Sequence, residues 1–298
     1  MNSSYRVAVI SDEVSQDFGR ACEVISHDFG MGWVELRELW NKNILNLDLA
    51  EVGELRRILE KNQLQVVGIA SPLFKTDWPG APRSKFSTSG DQFKASFTFD
   101  QQHDVLERSL DLARTLRTDR LRCFDFWRLD DPAPFRVAMN HELRKAAEKA
   151  GEKDVILMLE NEPACNTATG GESAELLSAI DSRNFMLVWD PANAEVHGEN
   201  AYPVGYNLLP KNRIGHCHCK DLIKKTDMIK NAAGNVHEWA AMGRGMIDWG
   251  GQFKALKRDG YQQGFSLETH WRGAGTPEAS TRESWAGMKE QLQQAGYL

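Results

Sequence analysis

The chain predicts a single (β/α)₈ barrel spanning residues 1–298. Two observations carry this expectation. Short β-branched or apolar runs recur eight times, each followed by a longer stretch with helical periodicity. Strands that alternate with helices, none of them clustered, specify a parallel sheet with helices outside. Eight such units suit a closed barrel better than an open sheet, and one-domain barrels reach this length.

Strands are expected at Tyr5–Ile10, Trp33–Leu36, Val66–Ala70, Leu121–Phe126, Val155–Glu160, Met186–Asp190, Arg213–Cys219 and Phe265–Thr269. Helical segments include Leu49–Asn62, Asp104–Thr115, Pro134–Ala150, Glu172–Ile180 and Gly251–Asp259. Stops such as Lys149-Ala150-Gly151 and Arg258-Asp259-Gly260 place a basic residue in the last turn and glycine after it. Two long connections, Ser71–Asp100 and Leu222–Trp249, follow the third and seventh strands. Both leave the carboxyl ends of strands, the face on which barrel enzymes build their sites, and are candidate lids.

Composition narrows the function. Hydrophobic residues make up 41% and charged residues 26%, an ordinary globular balance. No apolar run approaches the roughly 20 residues that cross a bilayer, and the start shows no secretory pattern; a cytoplasmic location and no membrane partner are expected. A net charge of −6 argues against nucleic acid as a partner. The five cysteines are odd in number and scattered, which reads as reduced thiols.

Four successive predicted strands end in acids or histidine. The fifth reads VILMLE and ends on Glu160; the sixth reads FMLVWD and ends on Asp190. The seventh reads RIGHCHCKD with His216 and His218, and the eighth reads GFSLETH with Glu268 near its end. A carboxylate after an apolar strand is costly to desolvate unless something pairs with it. Neighbouring strands lie about 4.8 Å apart, so Glu160, Asp190, His218 and Glu268 can converge on one point. Three carboxylates there would repel unless a cation neutralised them. One divalent metal ion meets that demand, with Mn²⁺ the first choice and Mg²⁺, Co²⁺ or Zn²⁺ alternatives. HCHC is not read as a zinc motif: side chains alternate along a strand, so the histidines face the barrel interior and the cysteines face the helices.

The segments Glu160-Asn161-Glu162-Pro163, Trp189-Asp190-Pro191-Ala192-Asn193, His216-Cys217-His218-Cys219-Lys220-Asp221, Met242-Gly243-Arg244-Gly245 and Ser266-Leu267-Glu268-Thr269-His270 resemble the sugar phosphate isomerase/epimerase family, also called xylose isomerase-like or AP endonuclease family 2. The resemblance is strongest from Leu157 to His270. It implies a (β/α)₈ barrel in which Glu160, Asp190, His218 and Glu268 bind the metal. It also implies that Glu160 and Glu268 form the proton-transfer pair of a ketose epimerase. Two departures stand out. Asn193 occupies the place where many epimerases carry a histidine, and the epimerase arginine after the seventh strand has no clear match, leaving Arg244 as a candidate. Further candidates for substrate contact are Glu35, Arg37, Trp127, His216, Lys220 and His270.

The expected function is a metal-dependent isomerase or epimerase removing a proton next to the carbonyl of a keto-sugar or sugar derivative. The alternative is an inosose-type dehydratase or lyase with the same metal site. A non-catalytic sugar-binding protein and an endonuclease IV-like nuclease rank lower. The partner is a small-molecule sugar, and homo-oligomerisation, common in such barrels, is a reasonable expectation.

Overall fold

The computed structural model describes residues 5–85, 87, 92–224 and 236–298; parts of both long connections (86, 88–91 and 225–235) lie outside the described residues. The barrel strands are β1 (Arg6–Val9), β2 (Trp33–Leu36), β3 (Gln65–Leu73), β4 (Arg120–Cys123), β5 (Ile156–Glu160), β6 (Phe185–Trp189), β7 (Ile214–Cys219) and β8 (Gly264–Leu267). They form one sheet in the order β1-β8-β7-β6-β5-β4-β3-β2, and every neighbouring pair is parallel. A parallel bridge between Ile10 and Glu35 brings the two ends of that order together. The result is a TIM barrel, as the sequence predicts.

Strand boundaries move by a few residues for local reasons. β3 runs on to Leu73 rather than ending at Ala70. β4 stops at Cys123, and Phe126 takes a left-handed φ of 68°. The amides of Phe124 and Phe126 then donate to the carbonyls of Leu73 and Phe74. This departure turns Asp125 into the next loop, where its carboxylate accepts from the Thr167 hydroxyl at 2.6 Å.

Helices wrap the sheet: α1 (Phe18–Glu23), α2 (Leu49–Lys61), α3 (Gln102–Leu116), α4 (Arg136–Gly151), α5 (Gly170–Ala179), α6 (Pro191–His197), α7 (Trp249–Arg258) and α8 (Pro277–Gln294). Asp48 with Glu51 and Thr169 with Glu172 form capping boxes at α2 and α5. α4 continues through Gly151 instead of stopping before it. A Cβ there would lie 1.9 Å from Asn184 Nδ2, so a larger residue would have to displace that side chain. The final helix, α8, turns buried Trp285, Met288 and Leu292 inward from a largely polar sequence.

The apolar core sits between sheet and helices and includes Cys217 and Cys219. Burial pushes the Cys217 thiol up to about 12, in keeping with inert packing. Inside the barrel the lining is polar: Glu35, Arg120, Arg122, His216, His218 and Ser266 are all buried. No helix of the described residues is long and apolar enough to cross a membrane.

Candidate metal centre

Each strand from β5 to β8 delivers one group to the carboxyl-terminal mouth. Glu160 is the last residue of β5, and His218 projects inward from β7. Glu268 follows β8, its amide still bonded to the Cys219 carbonyl at 3.0 Å. Asp190 follows β6 and is also the N-cap of α6: its Oδ1 accepts from the Asn193 amide at 2.9 Å. Pro191 at the first helical position suits that entry. Asn161 fixes the same turn from β5, donating to the Asp190 carbonyl and accepting from the Asp190 amide, both at 2.8 Å.

One donor atom from each of Glu160, Asp190, His218 and Glu268 lies within 4.8 Å of the other three, and all four residues are buried. His218 Nδ1 faces this point, 3.1 Å from Glu160 Oε1 and 3.3 Å from Glu268 Oε2. Its Nε2 faces away, 3.2 Å from both oxygens of Glu35. Without a metal the surrounding Glu35, Glu160 and Glu268 outweigh burial and hold the ring protonated well above the usual imidazole range; a metal would displace the Nδ1 proton while Glu35 keeps the one on Nε2. Asp190 Oδ2 is ion-paired with Lys220 Nζ at 2.8 Å.

The three carboxylates have organic cations of their own. Arg122 Nη1 meets Glu160 Oε2 at 2.8 Å, and Arg37 Nη1 meets Glu268 Oε1 at 2.6 Å. Lys220 Nζ lies 3.0 Å from Glu268 Oε2. Mutual repulsion, the argument from sequence, therefore does not by itself demand a metal. The chemistry of the donor set does fit one: three oxygen donors and an imidazole nitrogen can hold a divalent ion.

These surroundings push the carboxyls apart. For Glu160, burial would raise the pKa, but His218 and Arg122 outweigh it and hold it at about 2. Burial, with Glu160 and Glu268 adding to it, lifts Asp190 to about 6 against the pull of Lys220. Glu268 overcomes burial through Lys220, His270 and His218 and stays well below the usual carboxylate range.

Above the quartet lies a cavity of about 250 Å³ whose lining includes Glu160, Glu268, Asn193, Lys220, His270 and Trp127. Larger depressions of about 370 and 530 Å³ lie elsewhere on the molecule, with none of the quartet in their walls. Four residues expected to touch substrate are placed differently. Glu35 lies behind His218, and His216 lies beside it, with Nε2 2.8 Å from Ser266 Oγ and 3.4 Å from Glu35 Oε2. Arg37, only 4% exposed, is consumed by Asp12, Glu13 and Glu268. Arg244 points away from the cavity and pairs with Glu283 of α8. Its loop is held by Asp221, whose carboxylate accepts from the amides of Gly243, Gly245 and Ile247 at 3.0–3.2 Å.

Other residues were not singled out from sequence. Arg122 reads as one of two arginines in an alternating strand and gives no hint of its Glu160 partner. Lys75 and Phe93 reach the cavity from a loop, and Trp239 from a short strand (His237–Ala240) that pairs antiparallel with Asp221–Lys224 after β7.

Residues 25–291 match the family described as xylose isomerase-like TIM barrel. No curated protein sequence matches the chain. Among solved structures, the probable 3-DHS dehydratase AsbF of Bacillus anthracis is 19% identical with a TM-score of 0.68, over 95% of this chain and 97% of that one. D-psicose 3-epimerase from Clostridium cellulolyticum H10, solved with D-tagatose, is 13% identical with a TM-score of 0.68, over 97% and 99%. A xylose isomerase-like TIM barrel protein from Mycobacterium smegmatis, in complex with magnesium, is 14% identical with a TM-score of 0.68, over 99% and 98%. At these identities the likeness shows a shared fold.

Proposed function

Because the chain belongs to the xylose isomerase-like TIM barrel family, we propose that it is a divalent-metal-dependent isomerase or epimerase acting on a keto-sugar or sugar derivative. The observation that carries this is the convergence of one donor atom from each of Glu160, Asp190, His218 and Glu268 beside a cavity whose wall includes Glu160 and Glu268. A metal held there supplies Lewis-acid polarisation of a carbonyl and its neighbouring hydroxyl. Structural neighbours that include an epimerase and a protein in complex with magnesium support the same reading.

The chain's own groups then have distinct tasks. Glu160 and Glu268 line the cavity and rest ionised, so either can accept the proton next to the carbonyl. Lys220 lines the cavity beside Glu268, within reach of negative charge developing on a substrate oxygen. Asn193 Nδ2, 3.4 Å from Glu160 Oε1 and 2.8 Å from the Asn161 carbonyl, fixes the first turn of α6 and offers an amide without proton-shuttling capacity. A cavity of about 250 Å³ is on the scale of one small sugar.

Elemental analysis of wild type, Glu160→Gln and Asp190→Asn tests the reading. About one equivalent of divalent ion is expected in wild type and none in the variants. Loaded wild type should exchange deuterium from solvent into the carbon beside the carbonyl of a ketose. No bound metal after incubation with Mn²⁺, Mg²⁺, Co²⁺ or Zn²⁺ would refute it. A product that has lost water would move the reaction to the lyase class.

A further inference from the structure

Lys75 follows β3 and is 4% exposed, yet it is one of the residues lining the cavity. It is enclosed by aromatic faces: the rings of Phe93, Phe124 and Trp127 lie 4.3, 4.7 and 5.6 Å from Nζ. The nearest carboxylate oxygen, Glu162 Oε2, is 3.6 Å away, beyond hydrogen-bond range. The other lysine in the cavity wall, Lys220, has oxygens of Asp190 and Glu268 at 2.8 and 3.0 Å. Arg37 and Arg122, behind the wall, have carboxylate oxygens at 2.6 and 2.8 Å. Among these cations only Lys75 lacks a carboxylate at hydrogen-bond distance.

A buried ammonium keeps its charge at a cost that a hydrogen-bonded anion offsets. Glu162 does this weakly, because its Oε1 is turned to the Ala164 amide at 3.2 Å and its side chain is one-fifth exposed. Aromatic faces attract the ammonium through their π-clouds but carry no charge to neutralise it and accept its N–H groups more weakly than an anion does. The ammonium therefore retains protons to give to a ligand in the cavity.

We propose that Lys75 receives an anionic group of the substrate, a carboxylate carried by the sugar skeleton, while the carbonyl end lies over the quartet. The substrate class is then a keto-sugar acid and not a neutral ketose. This rests on the reading of the cavity as the substrate site given above. Glu162, the adjacent acid, opposes the bound carboxylate and limits its affinity.

Matched pairs differing only at the last carbon decide it: D-fructuronate against D-fructose, and D-tagaturonate against D-tagatose. Binding to the manganese-incubated full chain is followed by calorimetry, with bound metal measured in parallel. A charge-assisted hydrogen bond to Lys75 predicts about ten- to one-hundredfold tighter binding of each acid. Lys75→Met should abolish that preference, and Glu162→Gln should enlarge it. Equal affinity within both pairs, absence of acid binding, or a preference that survives Lys75→Met overturns the inference. So does a loss of neutral-sugar binding in both variants, which would mark Lys75 and Glu162 as a donor–acceptor pair for hydroxyls. If Lys75→Met does not fold, the preference in wild type and its rise in Glu162→Gln still decide. One equivalent of metal without acid preference removes the inference and leaves the metal reading standing. Acid preference without metal does the reverse.

Discussion

Replacing Glu35 by glutamine should weaken metal binding without changing any group in the cavity wall. Glu35 sits behind the quartet with both oxygens 3.2 Å from His218 Nε2 and one 3.4 Å from His216 Nε2. It fixes the ring so that Nδ1 faces Glu160 and Glu268, and its charge strengthens that nitrogen as a donor. Glutamine keeps one acceptor, loses the charge and turns an amide toward the paired histidines. Removal of such a supporting partner costs about 10–100-fold in metal affinity, equivalent to about 1.4–2.7 kcal/mol. Competition of the metal-free protein with a chelator for Mn²⁺ and Zn²⁺ measures the change, and thermal unfolding checks the fold. A Glu35→Gln protein that folds normally and binds both ions as tightly as wild type would show that the imidazole needs no such support, and the reasoning would fail.

Asn161→Ala removes both bonds to the Asp190 backbone. The loss is expected to be about 1–3 kcal/mol of stability, together with weaker metal binding, read by denaturant unfolding and chelator titration. Gly245→Ala would set a Cβ 2.0 Å from Asp221 Oδ1, so the loop must shift at a cost of about 1–3 kcal/mol; an unchanged unfolding midpoint would contradict the packing. Burial raises the Asp190 carboxyl from the ordinary 3.8 to about 6, so the folded metal-free protein holds this proton more tightly than the unfolded chain does. Its stability is therefore favoured by protonation and falls as pH rises through about 6. Metal affinity runs the other way and climbs with pH, because the ion must displace the Asp190 proton below about 6 and also the His218 proton, which Glu35, Glu160 and Glu268 hold well above the usual imidazole range; titrations across pH 5–8 would reveal the rise.

The barrel was legible because its strands are apolar runs of the right length, and Trp33–Leu36 falls on its predicted bounds. The quartet was legible because a charged residue at the end of a buried strand has nowhere inexpensive to go. What surrounds the quartet was not. WVELRE shows Glu35 and Arg37 two residues apart on one face, yet only the closure of β1 against β2 sends one beneath His218 and the other to Glu268. From sequence Arg244 is a candidate for the missing epimerase arginine, but Asp221 takes the amides on either side of it and its side chain pairs with Glu283. Lys75 and Phe93 depend on the path of a long loop, which no local pattern specifies, and Trp239 on a two-stranded pairing inside the other long connection.

The double duty of Asp190 has an experimental consequence. One oxygen holds the Asn193 amide and the other meets Lys220 Nζ, so a single carboxylate joins the mouth of the barrel to the first turn of α6. The Asn193 amide proton thereby becomes a built-in gauge. Its resonance and its exchange with solvent report the charge and position of Asp190, and hence the occupancy of the quartet, in a protein with no label attached.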